Sequence, residues 1–69
     1  MFDFYVACVC YWSSTSGSYY WLPKKIYSDR SSCLRFFKTY KCKPLEIPTF
    51  GILRIYQDQI IGVESHGKN

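Results

Sequence analysis

Four cysteines and one histidine are the residues of this 69-residue chain with metal-binding chemistry. Cys8 and Cys10 form a C-x-C pair, Cys33 stands alone, Cys42 follows after eight residues, and His66 lies three residues from the end. Structural zinc uses paired C-x(2–4)-C knuckles, in which a tight turn aims two thiolates at one ion. Here the close pair lies in an apolar run and the other two cysteines bracket the end of a helical pattern, so no metal ligand set is predicted. Nucleophilic catalysis needs a nucleophile, a base within hydrogen-bond reach and a group that orients the base. The one histidine sits in a polar terminal stretch, where a solvated side chain is expected. The five carboxylates (Asp3, Asp29, Glu46, Asp58, Glu64) show no paired spacing; Asp29 reads as a helix cap and Asp58 as a turn residue. Gly17, Gly51, Gly62 and Gly67 are scattered, so no phosphate loop exists. A chain this short also has little volume for a pocket once its core is filled. The expectation is a protein with no catalytic residues and no cofactor.

Compartment decides what the thiols are. The longest apolar run, Phe4 to Trp12, is half of the roughly 18 residues needed to span a bilayer. It resembles a signal peptide's apolar region only superficially, because the residues before it carry Asp3 and no Lys or Arg. The chain begins at Met1 and is read as cytoplasmic, with no membrane segment. In a reducing cytosol four cysteines are buried hydrophobes rather than two bridges. Cys42 is the exception: Lys41 and Lys43 flank it, and neighbouring cations favour a reactive thiolate.

Binding surfaces leave clearer marks. Nine Lys and Arg against five Asp and Glu give a net charge of +4, and seven of the cations fall between Lys24 and Lys43 beside a single acid, Asp29. Such a local field attracts nucleic acid, an anionic membrane or an acidic protein surface alike. Arg35, Lys38 and Lys41 form the outer face of the helical pattern, and Lys24 and Lys25 follow the aromatic run Tyr19, Tyr20, Trp21. Aromatics beside cations suit single-strand nucleic-acid binding, and Tyr, Trp and Arg are the residues enriched at protein interfaces. Seven Tyr, five Phe and two Trp exceed what so small a domain can bury. Phe2, Phe4, Trp12, Phe36, Phe37 and Tyr40 are assigned to the core, and Tyr19, Tyr20 and Trp21 to a surface surplus.

The elements that must position these residues follow from periodicity. Phe2 to Trp12 reads as a strand whose even positions (Phe2, Phe4, Val6, Cys8, Cys10, Trp12) are wholly apolar and are expected to lie over the core. The odd positions are more mixed, so the strand is expected to be central and partly covered on both sides. Ser13 to Ser18 is a loop, and Tyr19 to Tyr27 returns as a second strand that Pro23 either places at an edge or breaks, a break leaving Lys24 to Tyr27 irregular. Ser28 or Asp29 caps a helix whose Cys33, Phe36, Phe37 and Tyr40 form one stripe, with Arg35, Lys38 and Lys41 running opposite through its last two turns. Two prolines keep Lys43 to Thr49 out of that helix. Phe50 to Tyr56 and Ile60 to Glu64 form a hairpin around Gln57-Asp58-Gln59, where the absence of Gly favours a three-residue loop as much as a two-residue one.

The predicted fold is therefore a two-layer α+β domain, an antiparallel sheet of about four strands in β-β-α-β-β order with one helix on one face. Residues 1–64 form the domain and residues 65–69 a fraying polar tail. The predicted activity is binding: an accessory protein of viral or mobile-element type that blocks a host protein or nucleoprotein complex through Arg35, Lys38, Lys41, Lys24, Lys25 and Tyr19, Tyr20, Trp21. The alternative is direct binding of single-stranded RNA or DNA by the same basic face. Edge strands able to pair with a second copy add a homodimer to the expectations.

Overall fold

Alternation of apolar side chains carries β1 from Phe4 to Ser13 without interruption, and the computed structural model, which describes residues 2–67, places that strand inside the sheet. The order of elements is β1 (Phe4–Ser13), β2 (Ser18–Tyr27), α1 (Arg30–Thr39), β3 (Glu46–Tyr56) and β4 (Gln59–Gly67). The four strands form one antiparallel sheet ordered β2-β1-β3-β4, the two-layer α+β architecture that the periodicities imply. Both β2 and β3 run antiparallel to β1 on either side of it, so they are parallel to each other. The helix is the crossover that carries the chain between them.

Local chemistry sets each boundary. At the β1–β2 hairpin Gly17 takes φ +66° and its N–H donates to the Ser13 carbonyl at 2.8 Å. Pro23 pairs with Cys8 on edge strand β2, where its missing N–H costs no ladder bond on the solvent side. The break expected after it is one β-bulge: Lys24 is skipped, and Lys25, Ile26 and Tyr27 rejoin β1 in register. Asp29 caps the helix, its carboxylate accepting from the Ser32 N–H (3.0 Å) and from the Ser31 and Ser32 hydroxyls.

The helix ends sooner than its stripe suggests. Tyr40 is already extended (φ −73°, ψ 132°), so Lys41 lies beyond the helix and only Lys38 remains in the last turn. Lys43 to Glu46 then turns tightly, the Glu46 N–H donating to the Lys43 carbonyl at 3.0 Å. Pro44 presets the first central position, while Leu45 occupies the second at φ +73°, a place that favours glycine. The turn between β3 and β4 has two residues, Gln57 (φ 52°) and Asp58 (φ 62°), rather than three. Asp3 supports it without any glycine, accepting from the Gln57 N–H at 2.7 Å. Nor does the chain fray after Glu64: Ser65, His66 and Gly67 continue β4 opposite Gly51, Phe50 and Thr49. Lys68 and Asn69, the rest of the expected tail, lie outside the described residues.

The largest departure concerns which side of β1 the helix takes. Ala7 and Val9 on the odd face are fully buried with Cys33, Phe37, Phe50 and Ile52, and Leu22, Tyr27, Leu34, Phe36 and Tyr40 pack around them. The even face, wholly apolar in sequence, is the one with no helix over it. There Val6, Cys8 and Ile55 are buried by neighbours within the sheet, Phe4, Trp21 and Leu53. Ala7 is fully buried in this cluster, where the rings of Phe37 and Phe50 stack with centroids 4.7 Å apart. On the other side Trp21 lies directly over Gly51, where a Cβ would come within 2.9 Å of the indole. Trp21 thus belongs to a packed cluster rather than to a surface surplus.

Leu45 tests the strain in this framework. Its left-handed backbone costs about 1 kcal/mol or more, and its side chain is half exposed. Leu45→Gly is expected to raise thermal stability by a few degrees, read by circular dichroism melting. A lower melting temperature would show that the leucine side chain contributes more than its backbone strain costs.

Candidate binding surface

Charge on the helix side is sorted by a handful of carboxylates. Glu46 opens β3 beneath the loop that follows the helix, and its side chain is only 2% exposed. Oε1 accepts from the Tyr40 hydroxyl (2.5 Å) and the Lys43 N–H (2.8 Å), while Oε2 pairs with Lys24 Nζ at 2.8 Å. Burial opposes the charge, but these three donors outweigh it and hold the carboxyl at about 2. Lys24 is raised in return by its bond to Glu46, and it also sits 5.5 Å over the Tyr40 ring. One side chain therefore ties β2, the loop after α1 and β3 together.

A second knot joins the helix to β4. Arg30 Nε donates to both oxygens of Glu64 at 2.9 and 3.1 Å, its Nη2 also meets Oε2, and His66 Nε2 lies 2.7 Å from the same oxygen. The Arg30 bonds, against partial burial and with help from His66, bring Glu64 to about 2. His66 is therefore a half-buried strand residue 6.3 Å from the Phe37 ring, not a solvated tail histidine. With Leu34, Phe37, Lys38, Phe50 and Gly67 it lines a shallow hollow of about 340 Å³. Those residues offer an imidazole and an amine over an apolar floor.

The predicted binding residues divide into separate places. Arg35 and Lys38 are exposed on the outer side of α1, and Lys41 and Lys43 are exposed in the loop that follows. Among the described residues the ion pairs engage Lys24, Arg30 and His66, which leaves the charges of Lys38, Lys41 and Lys43 to solvent. Lys24 is held by Glu46, and Lys25 is exposed on edge strand β2. Tyr19 and Tyr20 are exposed near the hairpin end, but each leans on its cross-strand neighbour: Tyr19 on Trp12 (4.8 Å) and Tyr20 on Tyr11 (5.2 Å). Tyr19 shares its face with Trp21, on the side away from the helix. The structure thus brings Arg35, Lys38, Lys41 and Lys43 to one side and places Tyr19 and Trp21 on the other.

Cys8 and Cys33 are fully buried free thiols, and burial pushes Cys8 up to about 11 and also raises Cys33. Such thiols are unreactive. Cys10 is half-buried, and Cys42 is exposed as its lysine neighbours suggest. Among the described residues no three His, Cys, Asp or Glu side chains cluster as a metal site, and no helix is long and apolar enough to cross a membrane.

These features define a small two-layer α+β domain with a basic helix side and an apolar sheet side. No protein-family model, curated protein or solved structure matches the chain.

The Glu46 knot makes a sharp prediction. Its carboxyl falls from an ordinary 4.5 to about 2 on folding, so the charged form favours the native state. That contribution is complete above about pH 4.5 and is lost as pH falls through about 2. Glu64 titrates in the same direction. Melting temperature should therefore drop between pH 5 and pH 2, and Glu46→Gln should cost about 2 kcal/mol at pH 7 while flattening the acid limb. A variant as stable as the parent at pH 7 would show that the knot contributes nothing to folding.

Proposed function

We propose that this chain is a non-catalytic binding protein, an accessory protein of viral or mobile-element type that works in the cytoplasm by occupying the surface of a host macromolecular complex. The observation that carries this reading is the basic patch of Arg35, Lys38, Lys41 and Lys43 on the helix side, none of which takes part in a salt bridge among the described residues. Such a patch steers the domain towards an acidic surface, and the rigid helix behind it, capped by Asp29 and fixed to β4 through Arg30 and Glu64, presents two of its cations without rearrangement.

An acidic protein surface is favoured over single-stranded nucleic acid for a geometric reason. Stacking of bases needs exposed rings beside free cations. Tyr19 and Tyr20 lean on Trp12 and Tyr11 instead, Trp21 lies over Gly51, and Lys24 is paired with Glu46. Of the aromatic run, Tyr19 and Trp21 face away from the side that carries Lys38, Lys41 and Lys43, and only Tyr20 shares it.

Affinity capture from host lysate with the parent chain and an Arg35→Glu, Lys38→Glu variant tests this reading. Loss of a specific protein partner, with the variant's fold intact by circular dichroism, is the expected result. Identical partners for both proteins would overturn the assignment to the helix side. Titration with short oligonucleotides at two salt concentrations is expected to show no tight binding; a steep salt slope would point to nucleic acid instead.

A further inference from the structure

The helix-free face of the sheet is built to be covered. It carries Phe4, Val6 and Cys8 from β1, Trp21, Pro23 and Ile26 from β2, Leu53 and Ile55 from β3, and Ile60 and Val63 from β4. None of these is charged. The aliphatic residues on its two outer strands stand in water: Ile26 is 64% exposed, Ile60 63% and Val63 43%. Ile26 and Ile60 flank a shallow concavity of about 820 Å³ floored by Val6, Leu53 and Ile55, with Lys24 and Lys25 at its margin.

We propose that a second copy of this chain covers this face, so that the protein is a two-fold dimer of sheets packed back to back. Three observations select that occupant. The first is charge: the molecule carries +4, yet this face bears no charge beyond Lys24 and Lys25 at its margin, so its complement is an uncharged, apolar surface of the same size, which is what a second copy offers. The second is area. Four strands spaced about 4.8 Å apart and about ten residues long present roughly 600 Å², and two such faces bury roughly 1,200 Å², the lower end of stable, specific interfaces. The third is placement of the basic patches. Sheets stacked about 10 Å apart, with a helix layer outside each, keep the two helices about 30 Å from each other. That distance is several Debye lengths at physiological salt, so the dimer brings apolar faces together while the helix-side cations Arg35, Lys38, Lys41 and Lys43 point outward.

A two-fold axis through the concavity makes the contact isologous, each copy supplying both the flanking isoleucines and the floor. This differs from pairing of exposed strand edges, which would lengthen the sheet and leave its apolar face in water.

Sedimentation equilibrium of the full chain, from about 1 to about 200 μM at physiological salt, tests the proposal. The expected species has twice the 8.2 kDa monomer mass. Ile26→Glu and Ile60→Glu should each raise the dimer dissociation constant at least tenfold, with the monomer still folded by circular dichroism because both side chains are exposed. Lys38→Glu, on the opposite side, should leave it unchanged. The two isoleucines lie on opposite edge strands, so edge pairing would respond to only one of them, and that result would overturn face packing. A monomer at every concentration would also overturn the proposal, whether it stays in solution or adsorbs to phosphatidylcholine–phosphatidylserine vesicles.

Discussion

A single ten-residue helix covers one face of a four-stranded sheet and no more, and the character of this domain depends on which face it takes. Ala7 and Val9 meet Cys33 and Phe37 on one side of β1. That contact fixes the helix across the sheet and decides where every other large side chain must go. The opposite side of the same strand, Val6 and Cys8, is sealed only by Trp21, Phe4, Leu53 and Ile55 within the sheet. A central strand apolar on both faces is ordinary in a sheet covered twice. Here one cover is supplied by the chain itself.

Charge follows the same division. The helix side gathers two buried or half-buried carboxylate knots, Glu46 with Lys24 and Tyr40, and Glu64 with Arg30 and His66. These tie the crossover to both edge strands and absorb the cations nearest the sheet. The cations they do not reach, in the outer helix turn and the loop after it, remain as a field for a partner. The apolar side holds no such groups. One face suits long-range steering and the other short-range packing, so the two proposed contacts do not compete for surface.

Much of this was legible in the sequence, and the parts that were not share a cause. Element order, the Asp29 cap, the Ser-rich hairpin loop and the edge position imposed by Pro23 are local effects, written in a few adjacent residues. The side taken by the helix is not local. Both faces of β1 are apolar, and periodicity alone favours the even set because it holds no polar residue. What decides is a fit between elements 30 residues apart, in which Ala7 and Val9 share one buried cluster with Cys33 and Phe37. His66 was misplaced for a related reason: Glu64 and His66 are polar, yet they face the helix because Arg30 is there to receive Glu64. Glu46 gave no sign of its role, since Lys24 and Tyr40 reach it only after the crossover folds. Lys24 reads as a free charge in sequence, and in the fold it is paired with Glu46. The two-residue turn at Gln57-Asp58 likewise depends on Asp3, which lies at the other end of the chain.

The central claim is that the sheet has one face closed by its own helix and one closed by another molecule of the same chain. Isotope-filtered nuclear Overhauser spectroscopy on a mixture of labelled and unlabelled chains reads this directly. The account predicts intermolecular cross-peaks among the methyl groups of Ile26, Leu53, Ile60 and Val63, and none to Phe36 or Lys38. Cross-peaks confined to the β4 backbone amides, or intermolecular signals from the helix side alone, would contradict it.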